Sequence, residues 1–404
     1  ISLFESAPRV GGHTATVDCI VNGEQHAVDT GFIVFNDRTY PGFNRLIERL
    51  GVGYRNTEMG FSVSTRHRPG DSPGGRMNGH DFEYCGSDLN GIFADRRRLL
   101  DPAFLGMLRD IMRFGKRARS DLESGAIPPG QSLGKYLAEG RYGDLFIDRY
   151  ITPMASAIWS TPTNRISEFE ALFFVRFFRN HGLLDVTGRP QWRVIEGGSR
   201  SYIPPMTAPF EDRILTAAEV HEVRREAGEV VVSYNRGKCR FDHVVFACHS
   251  DQALNLLVDV TGEERELLQA IPYSSNSVVL HTDVELLPRR KRAWASWNYL
   301  LDGSECSQPV LTYNMNILQG LQSDEPICVS VNGDRHVDSG LVLGRYRYSH
   351  PQFGAQSVAA QTRIGEINGQ RNTWFCGAWC GNGFHEDGVN SGAAVAQSLG
   401  GDSL

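Results

Sequence analysis

The sequence predicts an α/β protein of two domains, one of which is left and re-entered along the chain. Three observations carry this. The 404 residues exceed what one hydrophobic core organises, since single cores stop growing at about 250–300 residues. Strand-like segments open the chain, return between Trp192 and Ala247, and return again at Thr373–Cys376. A helix-patterned stretch from Pro102 to Phe178 separates the first two groups.

Taken in order, Ile1 to Glu5 reads as the end of a buried strand, and Pro8 to Gly12 as turn chemistry. Thr14–Val21 and Gln25–Val28 follow as two short strands. Tyr40–Leu50 is a helix, with Phe43, Leu46, Ile47 and Leu50 at helical spacing and a stop at Gly51. Arg66–Gly79, rich in Gly, Pro, Asp and Arg, reads as an exposed loop. In the helical stretch Phe104, Leu108, Ile111 and Met112 share a face, and Phe169 to Phe178 is an aromatic cluster. Strands resume at Arg213–Val220 and Val230–Tyr234. The run Phe241–Ala247 then ends in a strand expected to be buried. The chain closes with a strand, a glycine-rich loop and a helix from about Gly388 to Leu399. One domain is therefore expected from residues 1–58, 193–250 and 364–404, and a mixed helix and strand domain from 59–192 and 251–363.

Composition narrows the class. Hydrophobic residues at 41% and charged residues at 22% are ordinary globular usage, which excludes a disordered or fibrous chain. The net charge of −6 excludes the overall basic field that non-specific nucleic-acid binding needs. Eight cysteines are scattered without a C-x-x-C pair, so neither a zinc ribbon nor a disulfide framework is indicated, and a cytoplasmic location is expected. Every apolar run is broken by charge well short of the ~20 residues that span a bilayer.

Two stretches carry chemistry. Glu5 at a strand end is placed as a Rossmann-type site places the acid that binds the ribose hydroxyls of a dinucleotide. Arg9-Val10-Gly11-Gly12-His13 follows, and paired glycines let backbone amides approach a phosphate closely. A plain strand and glycine turn is the other reading of this stretch. Near the far end, Phe375-Cys376-Gly377-Ala378 and Gly381 to Gly392 read as strand, glycine loop and helix start. A helix N-terminus there would suit a pyrophosphate or the electron-rich edge of a reduced ring system.

Phe4-Glu5, Pro8-Arg9-x-Gly11-Gly12, Asp29-Thr30-Gly31, Glu196-Gly197-Gly198, Val244 to Ala247 and the Gly377–Gly392 block occur in this order. In that order they resemble the flavin-containing amine oxidases, phytoene desaturases and protoporphyrinogen oxidases. Asp29 to Asn36, Phe174 to Phe178, Pro190 to Val194 and Ala293 to Tyr299 look like a bacterial subgroup of NAD/FAD-binding oxidoreductases. Its members are often encoded beside cyclopropane-fatty-acid synthases.

The resemblance implies a Rossmann-like domain that binds FAD. Glu5 would hold the adenosine ribose. Arg9, Gly11 and Gly12 would line the pyrophosphate and ribityl chain, and Gly31 would pass close to the flavin. Val220 would meet adenine through its backbone. Gly377, Gly388 and Val389 would meet the pyrophosphate and the pyrimidine edge, and Phe384 would form an aromatic wall beside the flavin. Three departures stand out: His13 replaces a common arginine, Asp387 replaces a small residue, and no G-x-G-x-x-G precedes Glu5. The chain is accordingly expected to lack the first strand and helix of its nucleotide-binding domain.

A flavin accepts hydride itself, so the sequence need not carry an acid–base pair, and no catalytic base is named. Lys291 lies in the run Arg289 to Arg292, which reads as a solvated loop, and His249 and His385 are expected to border the flavin. The expected activity is FAD-dependent oxidation or desaturation of an apolar or lipid-like small molecule. An amine oxidase, an NAD-dependent dehydrogenase and a non-catalytic lipid-binding or scaffold protein are the alternatives. Core packing outweighs a substrate tunnel for Phe169–Phe178. The basic helix Phe104–Arg119 allows peripheral contact with an anionic membrane, with a solvated face as its plainer reading. Nothing in the sequence fixes the oligomeric state.

Overall fold

The computed structural model describes residues 1–65, 76–77, 80–159, 161–185, 188–226, 228–301 and 310–404. Strands from distant parts of the chain meet around two main cores. Leu3–Phe4 pairs in parallel with Ile214–Leu215, and Val244–Phe246 pairs in parallel with Thr373–Phe375. Beside them Val220–Glu226, Glu229–Tyr234 and Gly237–Phe241 form an antiparallel meander. Val223, Val230, Phe246, Leu267, Ile364 and Phe375 bury one shared core, and Phe4 packs onto it edge-on to Tyr234 and Phe241.

The larger sheet has seven strands in the order Val342–Pro351, Tyr273–His281, Cys328–Val331, Val310–Asn314, Trp297–Leu301, Phe61–Thr65 and Glu83–Cys85. Its pairs are antiparallel except Phe61–Thr65 with Trp297–Leu301, where two segments far apart in sequence meet in parallel. Helices Pro102–Glu123, Leu133–Gly140, Thr152–Trp159 and Ala171–Asn180 form the second core with this sheet, around Phe104, Phe114, Phe146, Phe174 and Phe178.

The hairpin Thr16–Val21/Glu24–Asp29 packs against the large sheet, and Val34–Asn36, Trp192–Ile195 and Tyr54–Thr57 form a three-stranded sheet. Helix Pro41–Leu50 buries Phe43 and Ile47 and ends at Gly51, whose φ of 65° favours the residue without a Cβ.

Three expectations are corrected in detail. Of Arg213–Val220 only Ile214–Leu215 is a strand before Val220, because Ala217 turns the chain with φ 48°. Val244–Phe246 is not buried on both faces, since Val245 is exposed. The last helix begins at His385 rather than Gly388, because Asp387 accepts the Phe384 amide at 2.9 Å and caps an earlier start. The expected loop 66–79 lies outside the described residues apart from Arg76–Met77, a short strand paired with His80–Asp81. No helix among the described residues is long and apolar enough to cross a membrane.

Candidate flavin site

The glycine-rich turns named from sequence converge on one region. Gly11 and Gly12 adopt φ of 109° and 53°, and a Cβ on Gly12 would meet nothing within 4 Å. Arg9, exposed, donates to the carbonyls of Gly12 (2.9 Å) and Thr14 (3.0 Å), so its guanidinium staples this loop closed. Gly31 passes under it: a Cβ there would lie 2.1 Å from the His13 carbonyl, to which Phe32 also donates at 2.7 Å. Only glycine lets these two backbones come so close.

Glu5 ends the first strand, half-buried, with its carboxylate accepting the Ala7 amide at 2.8 Å. Burial pushes the Cys248 thiol up to about 11, with Asp251, Cys376 and, least, the charge of Glu5 adding to the effect. The Cys248 carbonyl accepts from Trp379 and lies close to Gly377, so Glu5 and the C-terminal glycine loop share one neighbourhood. Gly377, with φ 151°, is tied to helix His385–Ser398 by Ser391, whose hydroxyl accepts its amide at 3.0 Å. Gly388 closes the first turn of that helix, and the nearest atom to a Cβ there is the Ala378 nitrogen at 3.7 Å. Val389 packs on the Phe35/Phe43 core, and Val220 lies in the meander opposite Tyr234. Val220 packs on the core that holds Val223, Phe246 and Trp379.

The buried framework was largely invisible to sequence pattern. Asp29 is fully buried and accepts from Thr16 Oγ1 (2.6 Å), the Ser199 amide (2.9 Å) and Gln319 Nε2 (3.0 Å). Burial still raises its carboxyl to about 6, the hydrogen bonds pulling the other way. The Asp29 and Glu196-Gly197-Gly198 motifs are thereby one joint. Glu386, also buried, accepts the amides of Gly42 (2.7 Å) and Phe43 (2.8 Å), and so caps helix Pro41–Leu50 from the other end of the chain.

Histidines gather here. His13 stacks on His350 with centroids 5.5 Å apart, meets Tyr348 edge-on at 5.0 Å, and lies 6.1 Å from His249. Burial lowers His13 to about 3, and the neighbouring His350, His249, His385 and Arg9 add to the effect. His385 stacks on Phe32 at 3.8 Å and meets Tyr202 Oη through Nε2 at 2.9 Å. Burial lowers it to about 4, as it does His350. These rings are neutral near pH 7. Tyr346, Tyr348 and His350 alternate along one strand, the one sequence signal that would have grouped Tyr348 with His350.

On the opposite side Phe384 stacks on Phe177 at 5.2 Å and tilts against His181 at 5.5 Å, while Phe173 faces Phe353 at 6.3 Å. Phe174, Phe177 and Phe178 are all buried core, as the aromatic pattern implies, and Phe177 is the one of the three whose ring also meets Phe384. The arginines of Arg96–Arg119 are partly neutralised within the chain. Arg98 pairs with Asp101, Arg117 with Asp121, Arg119 with Asp185, and Arg113 with Asp110.

Comparison with known proteins places this geometry. The family model for flavin containing amine oxidoreductases matches residues 1–320, and the chain belongs to that family. Wild-type putrescine oxidase shares its fold at a TM-score of 0.63 and 14% identity, covering 98% of this chain and 93% of that one. A fatty acid isomerase from P. acnes matches at 0.65 and 11%, covering 98% and 92%, and cyclohexylamine oxidase from Brevibacterium oxydans at 0.63 and 13%, covering 99% and 94%. None of the curated proteins compared matches the chain in sequence. The protein is an FAD-dependent oxidoreductase. Its residues fit that cofactor: an acid at a strand end, a positive-φ glycine turn with open space at Gly12, and an uncrowded glycine in the first turn of a helix.

Proposed function

We propose that this enzyme oxidises or desaturates an apolar, lipid-like small molecule, and that the aromatic wall of Phe177, Phe384, Phe173 and Phe353 receives it. The observation that carries the reading is the stacking of Phe384 on Phe177 at 5.2 Å, with His181 beside them lowered to about 4 by burial and therefore neutral. Such a wall rewards contact with an apolar chain. That a fatty acid isomerase shares the fold supports the same direction.

In this reading FAD supplies the two-electron acceptor, and the protein supplies position and environment. Glu5 holds the ribose, while the turn of Gly11 and Gly12 and the Gly377 loop hold the phosphates. The backbone of Val220 holds adenine. Gly31, Gly388 and Val389 border the ring system. Arg9 acts one step back, fixing the loop through its carbonyl bonds. The division into a cofactor domain of 1–58, 193–250 and 364–404 and a substrate domain of 59–192 and 251–363 belongs to the same proposal.

The test is anaerobic reduction of the bound flavin, followed by its visible absorbance, with long-chain fatty acids and acyl lipids in one series and putrescine and cyclohexylamine in another. Bleaching by the apolar series is expected. Bleaching by the amines alone would replace this reading with amine oxidation.

A further inference from the structure

One surface of the helical region combines exposed apolar side chains with unpaired cations. Helix Pro102–Glu123 turns Phe104, Met107, Phe114 and Ala118 into the core, which leaves Leu105, Arg109, Met112 and Lys116 along its outer face. The helical turn Arg96–Leu100 packs against this helix and presents Leu99 and Leu100, the latter 90% exposed. Arg96 donates to Asn90 at 2.9 Å, which brings up the short helix Leu89–Ile92 with Leu89 73% exposed. That helix in turn packs against Lys291–Ala293, adding the exposed Lys291 and Arg292 from a remote part of the chain.

Five of the thirteen large apolar side chains exposed among the described residues thus fall between Leu89 and Met112, too many in one place for scattered surface apolar residues. Arg96 is held by neutral acceptors, Asn90 and the Phe93 carbonyl. Among the described residues no carboxylate pairs with Arg96, Lys116, Lys291 or Arg292. The chain as a whole carries −6, so this local excess of positive charge runs against its average.

We propose that this face docks on an anionic lipid bilayer, with Leu99, Leu100 and Leu89 entering the headgroup boundary and Arg96, Lys116, Lys291 and Arg292 meeting the phosphates. Interleaved cations and protruding leucines on several short elements suit a planar interface that is anionic outside and apolar beneath. The inference stands apart from the substrate reading, since none of these residues lines the candidate flavin site.

The experiment is co-sedimentation of the full chain with vesicles of equimolar phosphatidylglycerol and phosphatidylcholine. Binding is expected at low salt, with a loss of about tenfold or more for Leu99→Ser with Leu100→Ser, and a similar loss for Arg96→Glu with Lys291→Glu. Leu99, Leu100, Arg96 and Lys291 all lie on the surface outside the packed cores, so both variants should keep the parent's circular dichroism and flavin spectrum. The control Leu341→Ser with Leu343→Ser alters exposed leucines elsewhere and should bind as the parent does. Equal binding by parent and patch variants would overturn the proposal, as would equal binding to pure phosphatidylcholine. So would a dimer in solution that the Leu100 variant dissolves, since the face would then belong to a second copy.

Discussion

His13 and His350 stack with centroids 5.5 Å apart and planes 26° apart, two imidazoles that cannot both carry charge in the same buried space. His181, His249 and His385 are lowered as well, all chiefly by burial. A histidine whose folded pKa falls below its ordinary 6.5 stabilises the fold fully above that value. The contribution is lost as the pH drops toward the folded pKa. Asp29 acts in the opposite sense: its folded carboxyl sits near 6 rather than 3.8, so its contribution declines as pH rises through that window. His281 is lowered by burial too, so six histidines oppose the raised carboxyls of Asp29, Asp148 and Asp387, and the thermal midpoint should fall by several degrees between pH about 7 and about 5. His350→Gln should flatten that slope. A midpoint independent of pH over this range would show that the histidines are not buried as described.

Glu386 saturates two amide donors of another helix, and both would be stranded without it. Glu386→Ala should cost about 2–4 kcal/mol in urea unfolding and reduce flavin content, because the first turn of the last helix would lose its anchor. Glu386→Gln, which keeps one acceptor, should cost less than half as much. Equal stability of all three proteins would mean that water replaces the carboxylate freely.

Flavin occupancy should separate three glycine variants. Gly388→Ala meets only the Ala378 nitrogen at 3.7 Å and should retain flavin, whereas Gly388→Glu puts an anion into the first turn of the helix proposed to face the cofactor and should release it. Gly262→Glu, at an exposed helix start with nothing within 4 Å, is the control and should be silent. If Gly388→Glu keeps its visible absorbance, the assigned site is in the wrong place.

The flavin should leave the protein on acid precipitation. Burial pushes Cys248 and Cys376 to about 11, so neither is a ready thiolate for a covalent link. Colour that stays with the pellet would contradict this.

What could be read from sequence was local. Helix Tyr40–Leu50 announced itself by Phe43, Leu46, Ile47 and Leu50 and by a glycine stop, and the structure starts it one residue later, at Pro41. The flavin class was legible because its glycine turns are backbone necessities that leave a fixed order in the chain. The supporting framework was not. A glutamate in the first turn of a helix reads as a favourable charge for its own helix, and nothing local says that Glu386 caps another one. Asp29 looked like part of a loop motif, while its burial depends on Gln319, which carries no pattern at all.

Those long-range joints set a clock. Leu3 waits for Ile214, Asp29 for Gln319 across 290 residues, and Gly42 for Glu386 across 344. At a synthesis rate of about 5–20 residues per second, the interval between the two ends of the last joint is on the order of 20 to 70 seconds. Throughout it helix Pro41–Leu50 lacks the carboxylate that caps it, and until Gln319 is made the hairpin Thr16–Asp29 lacks one of the partners of Asp29. The candidate flavin site therefore cannot be complete until Glu386 has been made. No nascent chain can take up cofactor through this geometry before helix His385–Ser398 is made.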